Sequence, residues 1–185
     1  LAFVTSVNGL TRTTIINCYA EANDASTAYS GEAAGNGSFE SNDFNTMGHF
    51  SVINSTAIGF NQGIASYNSG STKRPFGKYF TAMGNQLIRC HTAIFAEDGE
   101  ATITGNVIRD AKINGIVIGS GVYPTYGYSV ANNFVGMADS AVAGTGIHAL
   151  GKTHNLSITK NALKGDSITG TLNDGRDSVQ VQDKT

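Results

Sequence analysis

The stretch Ala101–Gly121 reads ATITGNVIRDAKINGIVIGSG, a composition that excludes both a helix and a surface loop. It holds too many isoleucines and valines for a loop, and too many glycines and asparagines for a helix. Asn106 stands between two isoleucine-centred segments, and asparagine tolerates the left-handed backbone angles that a sharp corner needs. The stretch therefore predicts two short strands that meet at a corner, followed by a third strand in GIVIG.

The corner pattern recurs along the chain. It consists of an apolar residue, two residues of any type, an asparagine-like residue, one further residue and a second apolar residue. It occurs as Ile53-x-x-Thr56-x-Ile58, Ala82-x-x-Asn85-x-Leu87, Ile103-x-x-Asn106-x-Ile108, Val130-x-x-Asn133-x-Val135 and Ile158-x-x-Asn161-x-Leu163. These copies start 29, 21, 27 and 28 residues apart, and a weaker copy at Ile15, Cys18 and Ala20 starts 38 residues before the first. Repeats of this length with variable segments between them are typical of a solenoid.

Each copy contains two further short apolar stretches. One precedes the corner, as in HFSVI, YFTAM, EATIT, YSVAN and NLSIT, and one follows it, as in QGIAS, TAIFA, NGIVIG, SAVAG and DSITG. Three short strands per coil predict an all-β fold, a single-stranded parallel β-helix. In such a fold the inward residues stack on their equivalents about 4.8 Å above and below. Each coil needs its neighbours to bury its apolar side.

The asparagine position predicts a ladder of side-chain hydrogen bonds along the axis. An amide both donates and accepts, so asparagines on successive coils can bond to one another. The predicted members are Asn85, Asn106, Asn133 and Asn161, and we expect the ladder to weaken at Thr56. Other folds fit less well, because the chain has no helical stripe, no sandwich pattern and no strict leucine spacing.

Composition narrows the classes of function. Charged residues make up 14% of the chain, glycine occurs 23 times, and the formal net charge is −2. Nucleic-acid binding would require a basic stripe, and no apolar run approaches the roughly 20 residues of a membrane-spanning helix, so neither partner is expected. Cys18 and Cys90 are too few for a disulfide framework, and we expect them to be buried free thiols. The four histidines show no metal-ligand spacing, so neither a metal nor a cofactor is predicted.

The predicted organisation is one domain with one long excursion. Residues 1–172 are expected to form the β-helix, with a Gly-, Ser- and Ala-rich excursion over residues 21–49. Residues 173–185 are interpreted as a last coil, a linker or a tail. An uncapped β-helix exposes strand edges, and neither end of the chain carries an amphipathic cap. We therefore expect the chain to be part of a longer protein or a larger assembly.

The corner pattern and the strands after it, over residues 50–170, resemble those of pectate-lyase-like proteins and, in particular, of bacteriophage tailspikes. The resemblance implies a right-handed parallel β-helix. It also implies a homotrimer of the virion tail that binds or cleaves bacterial surface polysaccharide; a secreted or bacterial cell-surface protein is the alternative. The calcium site and the arginine of pectate lyases have no identified counterpart here, which favours a glycoside hydrolase over a lyase.

A first group of candidate site residues follows the corners. Asp110, Asp139 and Asp166 lie 4, 6 and 5 residues after their ladder asparagines, and Arg89 lies 4 residues after Asn85. On one outer face, adjacent coils would place such groups about 5 Å apart and alternate coils about 10 Å apart. Glycosidases need two carboxyls about 5 to 9.5 Å apart, according to mechanism, so the three aspartates are candidate catalytic residues and Arg89 a candidate sugar ligand. The alternative, which the sequence favours, is that they are turn residues.

A second group lies in the loop SGVYPTYGY, residues 120–128. Tyr123, Tyr126 and Tyr128 offer flat faces and hydroxyls that suit stacking on sugar rings. Alternatively, they cover the side of the β-helix or pack against another subunit. Glu32, Glu40 and Asp43 lie in the long excursion, where an acid could face a sugar. Glu97, Asp98 and Glu100 follow the Ile94 strand and are interpreted as a turn rather than a site.

Together these patterns predict a β-helix that binds polysaccharide and cleaves its glycosidic bonds with paired carboxylates. The alternative is a non-catalytic module of an adhesin or a virion, which binds glycan or only spaces other domains. New reducing ends after incubation with capsular or O-antigen polysaccharide would distinguish the two.

Overall fold

Twenty-two strands and no helix occur within the residues that the computed structural model describes, which are 3–5, 11–22, 37–42, 48–67, 78–97, 99–119, 125–138, 145–150, 153–164, 168–170 and 180–182. Sheet A contains β1 (Phe3–Thr5), β4 (Gly37–Asn42), β7 (Gln62–Tyr67), β10 (Thr92–Ala96), β13 (Asn114–Ile118), β17 (Thr145–Ala149) and β21 (Ile168–Gly170). Sheet B contains β2 (Thr11–Ile16), β5 (Gly48–Ile53), β8 (Lys78–Met83), β11 (Glu100–Thr104), β15 (Tyr128–Ala131), β19 (Ser157–Thr159) and β22 (Gln180–Gln182). Sheet C contains β3 (Tyr19–Glu21), β6 (Thr56–Ile58), β9 (Gln86–Ile88), β12 (Val107–Ala111), β16 (Phe134–Met137) and β20 (Ala162–Lys164). A small fourth sheet pairs β14 (Thr125–Tyr126) with β18 (Thr153–His154).

The chain visits the three large sheets in the fixed order B, C, A, and then begins the next coil. The strand pairs within these sheets are parallel, and each strand pairs with its equivalents one coil before and one coil after. This is a right-handed parallel β-helix with three strands per coil, and the predicted fold class is confirmed. No helix long and apolar enough to cross a membrane occurs in the described part of the chain.

The core is made of columns of apolar side chains that run along the axis. Strand residues alternate between the two faces of a sheet, so every second residue points inward and meets its equivalent in the next coil. The inward column of sheet A is Phe39, Ile64, Ile94, Ile116 and Ile147, all without exposed surface. One column of sheet B is Ile15, Val52, Ala82, Ile103, Val130 and Ile158, and that of sheet C includes Ala57, Leu87, Ile108 and Val135.

The predicted asparagine ladder is present at the corner between sheets B and C. The Asn106 amide nitrogen donates to the Ala82 carbonyl in the coil before (3.0 Å) and to Asn133 Oδ1 in the coil after (2.9 Å). Asn106 Oδ1 in turn accepts from both the backbone N–H and the Nδ2 of Asn85, each at 3.0 Å. Asn133 bonds to Asn161 in the same way. These side chains are buried, and their amides tie successive coils together.

The sequence pattern is one residue out of register in an early coil. Thr56 pairs with Gln86 in the sheet, so it does not occupy the ladder position. Ser55 does, because its backbone N–H donates to Asn85 Oδ1 at 2.9 Å. The Cys18 N–H donates to Ser55 Oγ at 3.1 Å, which confirms Cys18 as the position in the first coil. The prediction for Thr56 is therefore wrong, and serine replaces asparagine there.

The error has a physical cause, because apolar residues occur on both faces of this corner. Ile53 and Ile58 fitted the pattern, but both are partly exposed and point outward. Val52 and Ala57, which have no exposed surface, are the inward pair. Hydrophobic periodicity alone does not choose between two apolar faces.

The left-handed backbone angle lies one residue before the ladder position, rather than at the asparagine itself as the sequence predicted. Six successive corners have φ between 48° and 66° at this residue: Asn17, Asn54, Gly84, Gly105, Asn132 and Lys160. The turn angle and the amide bonding are thus supplied by two adjacent residues.

Two strands lie in segments that the sequence sets apart from the regular coils. β4 falls within residues 21–49 and pairs with β1 and β7 as a member of sheet A. β22 falls within residues 173–185 and pairs with β19. Of the two cysteines, Cys90 is buried as expected, whereas Cys18 is partly exposed.

Candidate functional site

Two of the residues predicted after the corners lie together at the corner between sheets C and A. Arg89 and Asp110 both have left-handed backbone angles, with φ of 51° and 55°. The Arg89 N–H donates to the carbonyl of Arg109 at 2.9 Å, which makes Arg89 and Asp110 equivalent residues of adjacent coils. Both side chains are exposed. Asp139 and Asp166 lie outside the described residues, so a single carboxylate of the predicted row is placed.

The predicted tyrosines have different environments. Tyr123 lies outside the described residues. Tyr126 is partly exposed, and its ring stacks on that of His154 with centroids 4.6 Å apart and an interplanar angle of 12°. Tyr128 is only 1% exposed, and its hydroxyl donates to the Ala96 carbonyl at 3.3 Å. Its ring is inside the core and offers no face to a sugar, contrary to the sequence expectation.

A different group of acidic and aromatic residues comes together on the outer face of sheet A. Glu40 on β4 aligns with Ala65 on β7 and, one coil further, with Phe95 on β10. The Glu97 N–H donates to the Ser66 carbonyl at 2.9 Å, which sets Glu97 directly beside Tyr67. Since the neighbouring residues Phe39, Ile64 and Ile94 point into the core, Glu40, Tyr67, Phe95 and Glu97 point outward. We call these four residues the sheet A cluster.

Burial and charge within the sheet A cluster act on Tyr67. Its ring lies 5.2 Å from that of Phe95. Burial raises the pKa of Tyr67 well above its usual value, and the negative charges of Glu40 and Glu97 raise this pKa further. The phenol therefore stays protonated through the neutral range and is a proton donor rather than a base.

The two carboxyls of the cluster lie in different environments. Glu40 is 6% exposed, whereas Glu97 is partly exposed. They are two strands apart across the sheet and two positions apart along it, so their Cα atoms are roughly 12 Å apart, with Tyr67 between them. Two glutamate arms of this length can bring their carboxyls closer than the Cα atoms. Different surroundings for two carboxyls are the condition under which one acts as an acid and the other as a base.

The sequence pattern places Glu40 in the long excursion and Glu97 in a turn, and it does not single out Tyr67. The spacing in sequence from the inward isoleucines of sheet A could have identified part of this cluster. Tyr67 and Glu97 both stand three residues after an inward isoleucine, Ile64 or Ile94. Counting from those isoleucines places the two side chains side by side. Glu40 needed the position of β4, which the surrounding polar segment conceals.

Comparison of the chain with protein-family models, with curated proteins and with solved structures finds no match. Within the described residues, no group of three or more His, Cys, Asp or Glu side chains is arranged to hold a metal ion.

Proposed function

We propose that the chain binds polysaccharide along the outer face of sheet A and hydrolyses its glycosidic bonds with Glu40 and Glu97. The single observation that carries the proposal is the position of two carboxyls on either side of a half-buried, protonated tyrosine. A parallel β-helix holds such groups on a rigid flank, because each strand is fixed by a coil on both sides.

The roles follow from the environments of the two carboxyls. Glu97, the more exposed, takes a proton from a water molecule whose oxygen attacks the anomeric carbon. Glu40, the more buried, donates a proton to the glycosidic oxygen as the bond between that oxygen and the anomeric carbon breaks. Water thus adds across the bond, and proton transfers leave one carboxyl protonated and the other ionised until they exchange with solvent. Phe95 and Tyr67 offer ring faces to the sugar.

The coil spacing favours inversion of the anomeric centre. Inverting enzymes hold their carboxyls about 6.5 to 9.5 Å apart, whereas retaining enzymes need about 5 to 5.5 Å. Carboxyls whose Cα atoms are roughly 12 Å apart reach the wider range more readily than the narrower one.

The resemblance to tailspikes supplies the wider part of the proposal. It makes the substrate a bacterial surface polysaccharide, the assembly a homotrimer, and the location a virion tail. Each is tested by its own measurement: a panel of capsular and O-antigen polysaccharides, the mass in solution, and the source of the particle that carries the chain.

A second candidate function is a non-catalytic glycan-binding or structural module. It is favoured by the burial of the middle of this face, since Ala65 has no exposed surface and Val117 is 3% exposed although both point outward. A polymer that cannot reach Glu40 would be bound without being cleaved.

The test measures new reducing ends after incubation with capsular or O-antigen polysaccharide. We expect Glu40→Gln and Glu97→Gln each to lower the rate at least 100-fold, which is the usual contribution of a general acid or base. Glu100→Gln is the matched control, because Glu100 is an exposed glutamate on sheet B, and it should leave the rate unchanged. Full activity of both cluster variants contradicts the proposal. Binding without reducing ends selects the second candidate, and NMR of the first product tests inversion.

A further inference from the structure

A groove of about 320 Å³ lies on the outer face of sheet C, away from the sheet A cluster. It is lined by Arg109, Asp110, Phe134, Gly136, Met137 and Lys164. Its volume is at the lower end of the range of small-molecule sites. The groove has a definite structural origin, an irregularity in the pairing of β12 with β16.

A β-bulge in β12 forms one wall of the groove. Ile108 pairs with Val135, but the next pair in register is Ala111 with Met137. Arg109 and Asp110 therefore stand opposite Gly136 alone. A bulge of this kind bends the strand and turns its side chains in a new direction, and bulges are common beside binding sites. Here the bulge brings two oppositely charged side chains to the edge of one groove.

An exposed aromatic ring forms the floor. Phe134 is 38% exposed, whereas the core phenylalanines Phe39, Phe50 and Phe80 are at most 2% exposed. Its ring lies against Gly136, because a Cβ atom added there would be 3.4 Å from Phe134 Cε1. The ring therefore lies beside Gly136 at van der Waals distance, and the exposed part of Phe134 is open to a ligand.

Two cations stand on opposite sides of this ring. Lys164 pairs with Gly136 in the sheet, and Arg109 belongs to the coil on the other side. Because one strand separates them, their Cα atoms are about 10 Å apart. Both side chains are exposed, and with Asp110 they give the groove a net charge of +1. An open aromatic face between two cations matches a flat ligand that carries negative charge.

We propose that this groove binds an anionic sugar residue, such as a uronic acid, of a polysaccharide. The sugar ring stacks its C–H face on Phe134, and its carboxylate bonds to Arg109 or Lys164; a guanidinium suits this role because it binds carboxylate with two parallel hydrogen bonds. Asp110 accepts hydrogen bonds from sugar hydroxyls and keeps the carboxylate away from the corner.

A polysaccharide fits the groove better than a single-stranded nucleic acid. Nucleic acid would also stack on an aromatic ring, but it needs a positive track along its phosphates. The groove holds two cations and one carboxylate, and the whole chain has a net charge of −2. Binding here does not depend on cleavage at the sheet A cluster, so either proposal can fail without the other.

The test uses trigalacturonate as the probe and its carboxyl-reduced trisaccharide as the neutral counterpart, with saturation-transfer NMR and calorimetry on the whole chain. We expect trigalacturonate to bind at least fivefold more tightly than the reduced sugar. Arg109→Gln and Lys164→Gln should each weaken binding of the charged sugar at least fivefold and leave the reduced sugar unaffected. Phe134→Ala should abolish transfer to both sugars, and Asp110→Asn should tighten binding of the charged one.

The matched control is Arg12→Gln, which removes an exposed cation from sheet B. It should leave both affinities unchanged, and an equal loss in this variant would reduce the effect to non-specific charge and overturn the proposal. Equal affinity of the wild type for the two sugars, or no binding of either, also overturns it. Tighter binding of hexathymidylate than of trigalacturonate would assign the groove to nucleic acid instead. Thermal unfolding of Phe134→Ala shows whether a loss of binding is a loss of fold; in that case the two charge variants decide.

Discussion

The ladder corner differs between the later coils and the first two. From Asn85 onward the ladder residue is asparagine. The amides of Asn85, Asn106 and Asn133 each donate to a carbonyl in the coil before and to an amide oxygen in the coil after. In the first two coils the residues are Cys18 and Ser55. Ser55 Oγ donates to the Ile53 carbonyl, and Cys18 Sγ donates to the Ile16 carbonyl, so both side-chain donors act within their own coils.

This difference separates two tasks of the ladder position. The first is to accept the backbone N–H of the preceding coil, which serine performs as well as asparagine. The second is to donate to the coils on both sides, which needs the two hydrogens of an amide. The corner therefore forms without asparagine, but the side-chain bonds between coils depend on it.

The largest effect is expected from Asn106→Ala. The substitution removes the acceptor of the Asn85 N–H, one of the two acceptors of the Asn85 amide, and the amide that donates to the Ala82 carbonyl; these groups are buried. Each buried polar group without a partner costs about 1 to 3 kcal/mol. We expect the free energy of unfolding to fall by about 3 to 5 kcal/mol, measured by urea denaturation.

Ser55→Ala is the matched variant in the early coils. It removes the acceptor of one N–H, that of Cys18, which is only partly buried. We expect a loss of about 1 kcal/mol. Equal losses in the two variants would mean that the amide donors add nothing to stability. The asparagine corners of the later coils and the serine corner of the early coil would then stabilise the fold equally.

A smaller effect of opposite sign is expected from Ser55→Asn. By analogy with Asn85, whose amide donates to the Val52 carbonyl, the new amide would donate to the carbonyl of Ile15 and to Asn85 Oδ1. We expect a gain of about 1 kcal/mol in the free energy of unfolding. The control is Thr56→Asn, at the position that the sequence pattern indicated. A gain in the control, without one at Ser55, would contradict the register described here.

The later coils could be predicted from sequence, because an asparagine at a fixed spacing from two inward apolar residues marks each corner. The early register could not, since Val52 and Ile53 are both apolar and only the partners in adjacent coils show which one points inward. The ladder position at Cys18 was recognised because Ile15 and Ala20 fix the spacing there. Pattern reasoning therefore fails where both faces of a strand are apolar.

The candidate sites were less predictable than the fold. Arg89 and Asp110 could be aligned, as each follows a ladder asparagine by four residues. Glu40 and Tyr67 are joined only by the pairing of β4 with β7, across segments of irregular length. The sequence does not single out Phe134, because the bulge that opens the groove beside it leaves no mark in the hydrophobic pattern. Contacts between coils depend on the register of the strands, and the sequence does not show this register where the segments between strands vary in length.

The smallest effect concerns the two cysteines, one in each region. Burial raises the pKa of the Cys90 thiol from 9.0 to about 12, whereas Cys18 in the first coil is partly exposed. A raised pKa in the folded state stabilises the protein fully below the ordinary pKa, and this stabilisation is lost as the pH rises from about 9 towards 12. Between pH 8 and pH 9.5 we expect the free energy of unfolding of the wild type to fall by about 1 kcal/mol, and that of Cys90→Ala to lack this fall. Urea denaturation in the presence of a reducing agent measures this loss, and Cys18→Ala is the control. If the free energy of unfolding depended on pH equally in the wild type and in Cys90→Ala, solvent would have access to the Cys90 thiol in the core of the later coils.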